Sequence, residues 1–327
     1  MAIGPYPDFS WSHSRDATLQ WCERKYYFQY YGKWNGWSYK ADKRTQTTYM
    51  LTQRTSLQAW AGSIVHEAIS RFLHTRPQPQ LWLEEVRQKM RHQFVTSRKK
   101  TFLAPKKAKS FGLEEHFYDV PLPDEKVRGV WEKVYRCLTA FHESNWPAKI
   151  AEAQMAQRYV YIEPQVSNFF EMQVLDHDFG DFAIYAQPDL VYEDEEGILH
   201  LVDWKTGTPP QMRHRHEIPP QLAFYLMWLR IKGDQAAHWP LEKMRLTEAY
   251  LPQMSIYGGT PQSDTWPKAH QRAVKSIALM QSKLEDIQKN IAAEDAFHLT
   301  SDKGKCPHCV FRAVCPGMSD SIKADTA

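Results

Sequence analysis

The segment His200-Leu-Val-Asp203-Trp-Lys205-Thr-Gly207 has the alternation of a β-strand and carries a carboxylate and an ammonium group two positions apart. Because side chains alternate between the two faces of a strand, Asp203 and Lys205 point to the same face. A short acidic turn separates this segment from an earlier strand-like run that contains Gln187-Pro188-Asp189. If the two runs pair as a hairpin, Asp189 approaches Asp203.

Two carboxylates on adjoining strands suit Mg²⁺ or Mn²⁺, since these hard cations prefer oxygen ligands and complete their shell with water and phosphate. A neighbouring lysine can position an attacking water or neutralise the charge that develops on a phosphate. An Asp-x-Lys strand on its own is more often a surface salt bridge. The metal-site interpretation therefore depends on the other motifs of the chain.

The patterns around this segment indicate an α/β fold, with a β-meander in the middle of the chain. Strands are predicted at 159–162, 169–175, 182–192, 198–204 and 246–251. Helices are predicted at 62–72, 80–97, 124–145, 219–231 and 263–291.

Composition limits the class of protein. A chain of 327 residues with 43% hydrophobic residues can bury a sizeable core. Its longest apolar run, 223–229, is too short for a membrane span, and its start lacks the basic-then-apolar order of a signal peptide. We therefore expect a cytoplasmic protein without a membrane partner. The net charge of +3 is too small to indicate a polyanionic partner by itself.

A local run of positive charge is more informative than the net charge. Six basic residues fall within twelve positions: Arg98, Lys99, Lys100, Lys106, Lys107 and Lys109. Two interpretations remain open, a solvated surface loop and a loop that contacts phosphates.

The cysteines have the spacing of a metal site. Three lie close together in Cys306-Pro-His-Cys309 and Cys315, whereas Cys22 stands alone near the start. Thiolates bind soft or borderline metals, and a disulfide framework is not expected in a cytosolic chain. Zinc remains open here, although a zinc ribbon normally offers two local pairs. The fifth cysteine, Cys137, lies in an apolar helical pattern and is expected to be a small buried hydrophobe.

Four motifs resemble the PD-(D/E)XK nuclease superfamily and, more narrowly, its RecB-like branch, in the order of the family. They are Gly62-Ser-Ile-Val-His66-Glu67, Gln187-Pro188-Asp189, Asp203-Trp-Lys205-Thr-Gly207 and Gln221-Leu-Ala-Phe-Tyr225. On its own, His66 would more often be an ordinary hydrogen-bonded helix histidine. The resemblance implies a restriction-endonuclease-like α/β core with a mixed central sheet flanked by helices.

The resemblance also implies roles for single residues. Metal ligation is expected from His66, Asp189, Asp203 and the main-chain carbonyl of Trp204. Catalytic roles are expected for His66, Asp189, Asp203 and Lys205. Gln221 and Tyr225 are expected to support the site and contact the DNA backbone, and their spacing of four places them on one helix face. Asp203 stands where the wider superfamily often has Glu, a variation that the RecB-like branch itself shows.

The one-plus-three arrangement of Cys22, Cys306, Cys309 and Cys315 is similar to that of the AddB nuclease domain and the CRISPR adaptation nucleases. In those proteins four cysteines hold a [4Fe–4S] cluster, which implies a cluster that joins the terminal segments here. The expected division is an N-terminal segment (1–74), a helical insertion (75–155), a nuclease core (156–264) and a C-terminal segment with a helix and three cysteines (265–327).

The function that the resemblance implies is that of a DNA nuclease dependent on Mg²⁺ or Mn²⁺. We expect an exonuclease that acts on single-stranded DNA or on duplex ends, in DNA repair and recombination or in CRISPR and phage defence. A helicase or a defence protein is the expected partner, since the chain has no phosphate-loop motif of its own. One alternative is a DNA-binding or assembly module that keeps the fold without turnover, and another is a zinc-stabilised protein with solvated acidic strands.

Overall fold

A computed structural model describes residues 6–104, 106–164, 173–176, 180–211, 214–233 and 235–316. The chain forms two compact units. The first unit contains residues 1–56, 92–121 and 273–327, and the second contains residues 57–91 and 122–272. No helix in the described part of the chain is long and apolar enough to cross a membrane. The division into four segments remains a prediction.

The described α-helices and strands alternate as an α/β chain. The helices are α1 (His13–Trp21), α2 (Glu23–Tyr27), α3 (Lys43–Leu51), α4 (Leu57–Thr75), α5 (Pro79–Arg98), α6 (Glu114–Phe117), α7 (Asp124–Glu143), α8 (Trp146–Met155), α9 (Pro220–Lys232) and α10 (Thr265–Gln281). The strands are β1 (Ser10–Ser12), β2 (Val160–Ile162), β3 (Gln173–Asp176), β4 (Gly180–Tyr185), β5 (Leu190–Glu193), β6 (Leu199–Lys205), β7 (Met244–Tyr250), β8 (Ser255–Gly259), β9 (Leu284–Asp286) and β10 (Ile291–Ala292).

A five-stranded mixed sheet forms the centre of the second unit, in the order β2-β5-β6-β7-β8. Neighbouring strands are antiparallel except for β6 and β7, which are parallel. A parallel pair needs a crossover connection, and α9 lies in the stretch of chain between these two strands. The expected mixed central sheet is confirmed.

Helices cover both faces of this sheet. Leu222 and Leu226 of α9 pack in one buried core with Leu199 and Leu201 of β6. These two β6 residues alternate with Trp204, whose buried ring contacts Phe141 of α7 and Trp146 of α8 on the other face. Burial on both faces explains why β6 is almost continuously apolar around its two charged residues.

The first unit has an aromatic core built from the two ends of the chain. Tyr26 and Tyr31 are buried against Phe297, with ring centroids 5.9 Å apart in each pair. Nearer the start of the chain, the Trp11 ring N–H donates to the Ser276 hydroxyl, which donates in turn to the Asp16 carboxylate. Through these contacts the N-terminal segment packs against residues from the last third of the chain.

Three secondary-structure predictions need correction. The helix predicted at 263–291 ends at Gln281, because residues 284–292 form the antiparallel β9–β10 pair instead. In the turn of this pair Asn290 takes a left-handed φ of 51° and hydrogen-bonds with Tyr31 and the carbonyl of Pro7. The strand predicted at 182–192 is interrupted between β4 and β5, where Pro188 cannot donate to a ladder. The β-meander is also wrong, since β3 and β4 pair with each other outside the five-stranded sheet. Of the strand predicted at 169–175, residues 169–172 lie outside the described residues.

Candidate active site

The β5–β6 hairpin brings the first two predicted carboxylates together. Its register pairs Leu190 with Val202, so Asp189, one residue before β5, comes opposite Asp203. Asp189 Oδ2 accepts a hydrogen bond of 2.6 Å from the main-chain N–H of Trp204. Only 6% of Asp189 and 2% of Asp203 are exposed. The predicted hairpin is confirmed, and it places two carboxylates in a largely buried position.

His66 lies on α4 and contacts the first of these carboxylates. Its Nδ1 is 2.8 Å from Asp189 Oδ1, and the ring stays partly exposed. Burial alone would lower the pKa of His66, but the charges of Asp189, Asp203 and Glu163 raise that pKa to about 9. The acidic groups around His66 therefore attract positive charge, which a proton on the imidazole or a cation bound to its neutral form can supply.

Glu163 is a fourth member of this site, and the sequence motifs did not identify it. It follows β2, and its N–H donates to the main-chain carbonyl of Asp189 over 2.9 Å. Gln187 donates to its side chain. Burial and the charge of Asp189 raise the pKa of Glu163 to about 7. The ligand atoms of His66, Glu163 and Asp189 all lie within 4.8 Å of one another, which is close enough for a shared cation.

Lys205 stands between the second carboxylate and α9. Its Nζ lies 2.5 Å from Asp203 Oδ2 and donates to Gln221 Oε1 over 2.8 Å. Gln221 Nε2 donates in turn to the hydroxyl of Tyr225, one helical turn along. The Gln-x-x-x-Tyr motif therefore holds the lysine ammonium beside Asp203.

Glu248 is a second acidic residue that the motifs did not identify. The parallel register of β6 and β7 places it directly beside Asp203, with only 4% of its surface exposed. Its Oε1 lies 3.8 Å from Lys205 Nζ, and its Oε2 accepts from the Tyr250 hydroxyl over 3.0 Å. Glu248 is thus a second carboxylate close to Lys205.

The charges at this site fit a divalent cation. Burial, followed by the charge of Asp189, raises the pKa of Asp203 to about 6. Burying several carboxylates together is unfavourable unless cations compensate them. The residues present are carboxylates and one imidazole, a donor set that accepts Mg²⁺ or Mn²⁺. The predicted ligand role of the Trp204 carbonyl remains a prediction.

The four cysteines that were predicted to bind an iron–sulfur cluster lie together in the first unit. Cys22, Cys306, Cys309 and Cys315 line one cavity, which we call the cysteine cavity. Burial raises the pKa of Cys309 to about 11, with Cys22 and Cys315 adding to the increase. Cys137 is fully buried on α7 in the second unit, as expected for a small hydrophobe.

Basic side chains surround the cysteine cavity. Lys25, Lys303, Lys305 and Arg312 are among its lining residues. Lys25 and Lys305 both stack on the ring of Trp21, at 4.3 and 5.8 Å from its centroid. Lys25 lowers the pKa of Cys309 against the larger effect of burial, so the positive charge favours the thiolate form that binds metals.

Comparison with known proteins identifies the family of the chain. The family model of the PD-(D/E)XK nuclease superfamily matches residues 10–316. A search of curated proteins found no match. The matched region contains all four motifs and all four cavity cysteines. The chain therefore belongs to the PD-(D/E)XK nuclease superfamily, whose members are typically nucleases that use divalent metal ions.

Proposed function

We propose that this protein is a metal-dependent deoxyribonuclease that hydrolyses phosphodiester bonds. The observation that carries the proposal is the position of Lys205, whose ammonium is held beside Asp203 by Gln221 while Asp189 lies opposite Asp203. A surface salt bridge needs neither burial nor this helix support. A buried carboxylate pair with a fixed ammonium suits attack on a phosphate.

Each residue has a distinct part in the proposed reaction. His66, Asp189, Asp203 and the Trp204 carbonyl would hold Mg²⁺ or Mn²⁺, and Glu163 joins them on the geometry described above. When bound, such an ion lowers the pKa of water and stabilises negative charge on the phosphate. Lys205 orients the water and neutralises charge that develops on the phosphate oxygens. Gln221 and Tyr225 keep Lys205 in place and contact the DNA backbone.

The proposed substrate is single-stranded DNA or a duplex end, cut by an exonuclease. This part rests on the resemblance to the RecB-like branch, and the pathways that fit it are DNA repair and recombination or CRISPR and phage defence. The proposed site of action is the cytoplasm, with a helicase or a defence protein as partner.

We further propose that the cysteine cavity holds a [4Fe–4S] cluster. The cysteine cavity takes one cysteine from near the start of the chain and three from near its end, whereas a zinc ribbon normally offers two local pairs. This arrangement supports an iron–sulfur cluster over zinc. The surrounding basic residues would offset the negative charge of a thiolate-bound cluster.

The nuclease proposal can be tested with end-labelled single-stranded and duplex DNA, incubated with Mn²⁺, Mg²⁺ or EDTA. We expect metal-dependent cleavage by the wild type. Asp203→Asn and Lys205→Ala should each lower the cleavage rate by about 100-fold or more, since the ligands and the lysine act as a unit.

An exposed acid–lysine pair in the same unit provides the matched control. Asp264 and Lys268 form a 2.6 Å pair on the surface, and Asp264→Asn and Lys268→Ala should cut at the wild-type rate. Wild-type rates in both site variants would refute the assignment of the active site. Wild-type binding of DNA without cleavage under any metal would favour a binding or assembly module instead.

A further inference from the structure

A basic surface of the first unit is not used by the site described above. We call residues 98–104 and 106–109 the basic loop, and the sequence from 98 to 113 contains no carboxylate at all. Its cations are Arg98, Lys99, Lys100, Lys106, Lys107 and Lys109. Asp119 pairs with Lys100 over 2.7 Å, and the described part of the chain places no other carboxylate in an ion pair with these cations. The remaining five cations are exposed.

A buried arginine holds the basic loop from the inside. Arg54 donates to the carbonyls of Ala108 and Ser110, over 2.6 and 2.9 Å. Its guanidinium lies 4.3 Å from the centre of the buried Phe102 ring. Burial lowers the pKa of Arg54 to about 10. The structure thus buries a further cation beneath a loop that is already strongly basic.

Close packing fixes the end of the loop. A Cβ on Gly112 would lie 2.1 Å from Arg54 Nη1 and 2.4 Å from the Phe102 ring, so no larger residue fits there without movement. The next residue, Leu113, donates its N–H to the buried Ser97 hydroxyl over 2.7 Å. These contacts hold the backbone of residues 108–113 in place.

Like charges on a fixed backbone repel one another, and folding gains nothing from concentrating them. A fixed backbone does reduce the entropy lost on binding. The polyanion that a member of a nuclease superfamily meets is a nucleic acid. From these observations we infer that the basic loop is a contact surface for the phosphate backbone of DNA. This inference rests on the proposed function, because it takes DNA as the substrate.

The test measures DNA binding without turnover. Lys106→Gln, Lys107→Gln and Lys109→Gln are combined in one variant, and binding to labelled single-stranded and duplex oligonucleotides is followed by fluorescence anisotropy in EDTA at several salt concentrations. Each phosphate contact contributes about 0.9 to the slope of log K against log salt for duplex DNA and about 0.7 for single strands. We expect the slope to fall by about 2 to 3 and the affinity at low salt to fall at least about tenfold.

The control removes three exposed lysines from elsewhere, as Lys126→Gln, Lys243→Gln and Lys289→Gln, and so gives the same net charge. It should keep both the slope and the affinity within about twofold of wild type. Equal binding by the loop variant and the control would overturn the inference, even if the wild type cleaves DNA. A wild type that binds no DNA would overturn the inference and would also count against the proposed function.

Discussion

At the scale of single residues, a local motif places some residues of the candidate site and strand pairing places the others. His66, Asp189, Asp203 and Lys205 could be predicted because each belongs to a motif with a fixed local spacing. Glu163 and Glu248 have no such motif. They become neighbours of Asp189 and Asp203 only because β2 pairs with β5 and β7 pairs with β6. Sequence spacing does not contain that information.

Glu248 is expected to position Lys205 rather than to touch the substrate. The Glu248→Gln variant loses one of the two carboxylates described beside the Lys205 ammonium and keeps the other, that of Asp203. We expect the single-turnover cleavage rate to fall about tenfold, with KM for DNA and the affinity for Mn²⁺ unchanged, because only the placement of the ammonium changes.

Tyr250→Phe provides the control for this variant, since it removes the hydrogen bond to Glu248 but keeps the charge beside Lys205. It should lose less activity than Glu248→Gln. A Glu248→Gln protein that cleaves at the wild-type rate, or that loses Mn²⁺ affinity instead of rate, would contradict a positioning role.

At the scale of elements, the turn between β5 and β6 sets the register on which the site depends. Asp194 Oδ1 accepts from the N–H groups of Glu196 and Ile198, and its Oδ2 lies 2.7 Å from His200 Nε2. Gly197 has a φ of 73°, which favours glycine. This acidic turn was visible in the sequence. By contrast, the helical pattern of the sequence continues beyond Gln281, and it did not indicate that β9 and β10 pair there instead.

Asp194→Ala should lower the free energy of unfolding at neutral pH by about 1 to 2 kcal/mol, since it removes several hydrogen bonds to a carboxylate. Burial raises the pKa of Asp194, but its bonds to His200 and the turn N–H groups outweigh burial and lower that pKa overall. A lowered pKa stabilises the fold above the unfolded value of about 3.9, and that contribution is lost as the pH falls below it.

Urea unfolding of both proteins between pH 7 and pH 3 checks this expectation. The difference between wild type and variant should shrink as the pH falls below about 4. Glu195→Ala in the same turn is exposed and should match the wild type throughout. A difference that is absent at pH 7, or that grows on acidification, would show that Asp194 does not stabilise the turn in this way.

At the scale of the whole molecule, both units combine segments that are distant in sequence. The first unit takes residues from the start, the middle and the end of the chain. The family resemblance implied a mixed sheet flanked by helices, but neither that resemblance nor the strand and helix patterns indicated this interleaving of segments. Within the first unit, residues 273–327 carry three of the four cavity cysteines, and residues 1–56 carry the fourth. A cluster would therefore be a covalent tie between them.

The middle segment of the first unit also packs against the cysteine segment. Phe117 and Tyr118 pack against a small core around Phe28 and Phe311, and Cys309 and Cys315 pack against the same core. Arg312 lies over the ring of Tyr118, 3.3 Å from its centroid. Loss of a group from the cysteine cavity should thus affect all three segments of this unit.

Protein purified without oxygen should contain iron and acid-labile sulfide, and Cys22→Ser should lose both while Cys137→Ala keeps them.

Removal of the cluster should then raise amide hydrogen exchange at residues 22–31, 113–118 and 303–315, because the cysteine cavity no longer joins these segments. The exchange of β6 and β7, in the other unit, should stay low. Mass spectrometry of untreated and chelator-treated protein measures both effects. Stoichiometric zinc in place of iron would refute the cluster, and unchanged exchange after iron is lost would refute its role in holding the first unit together.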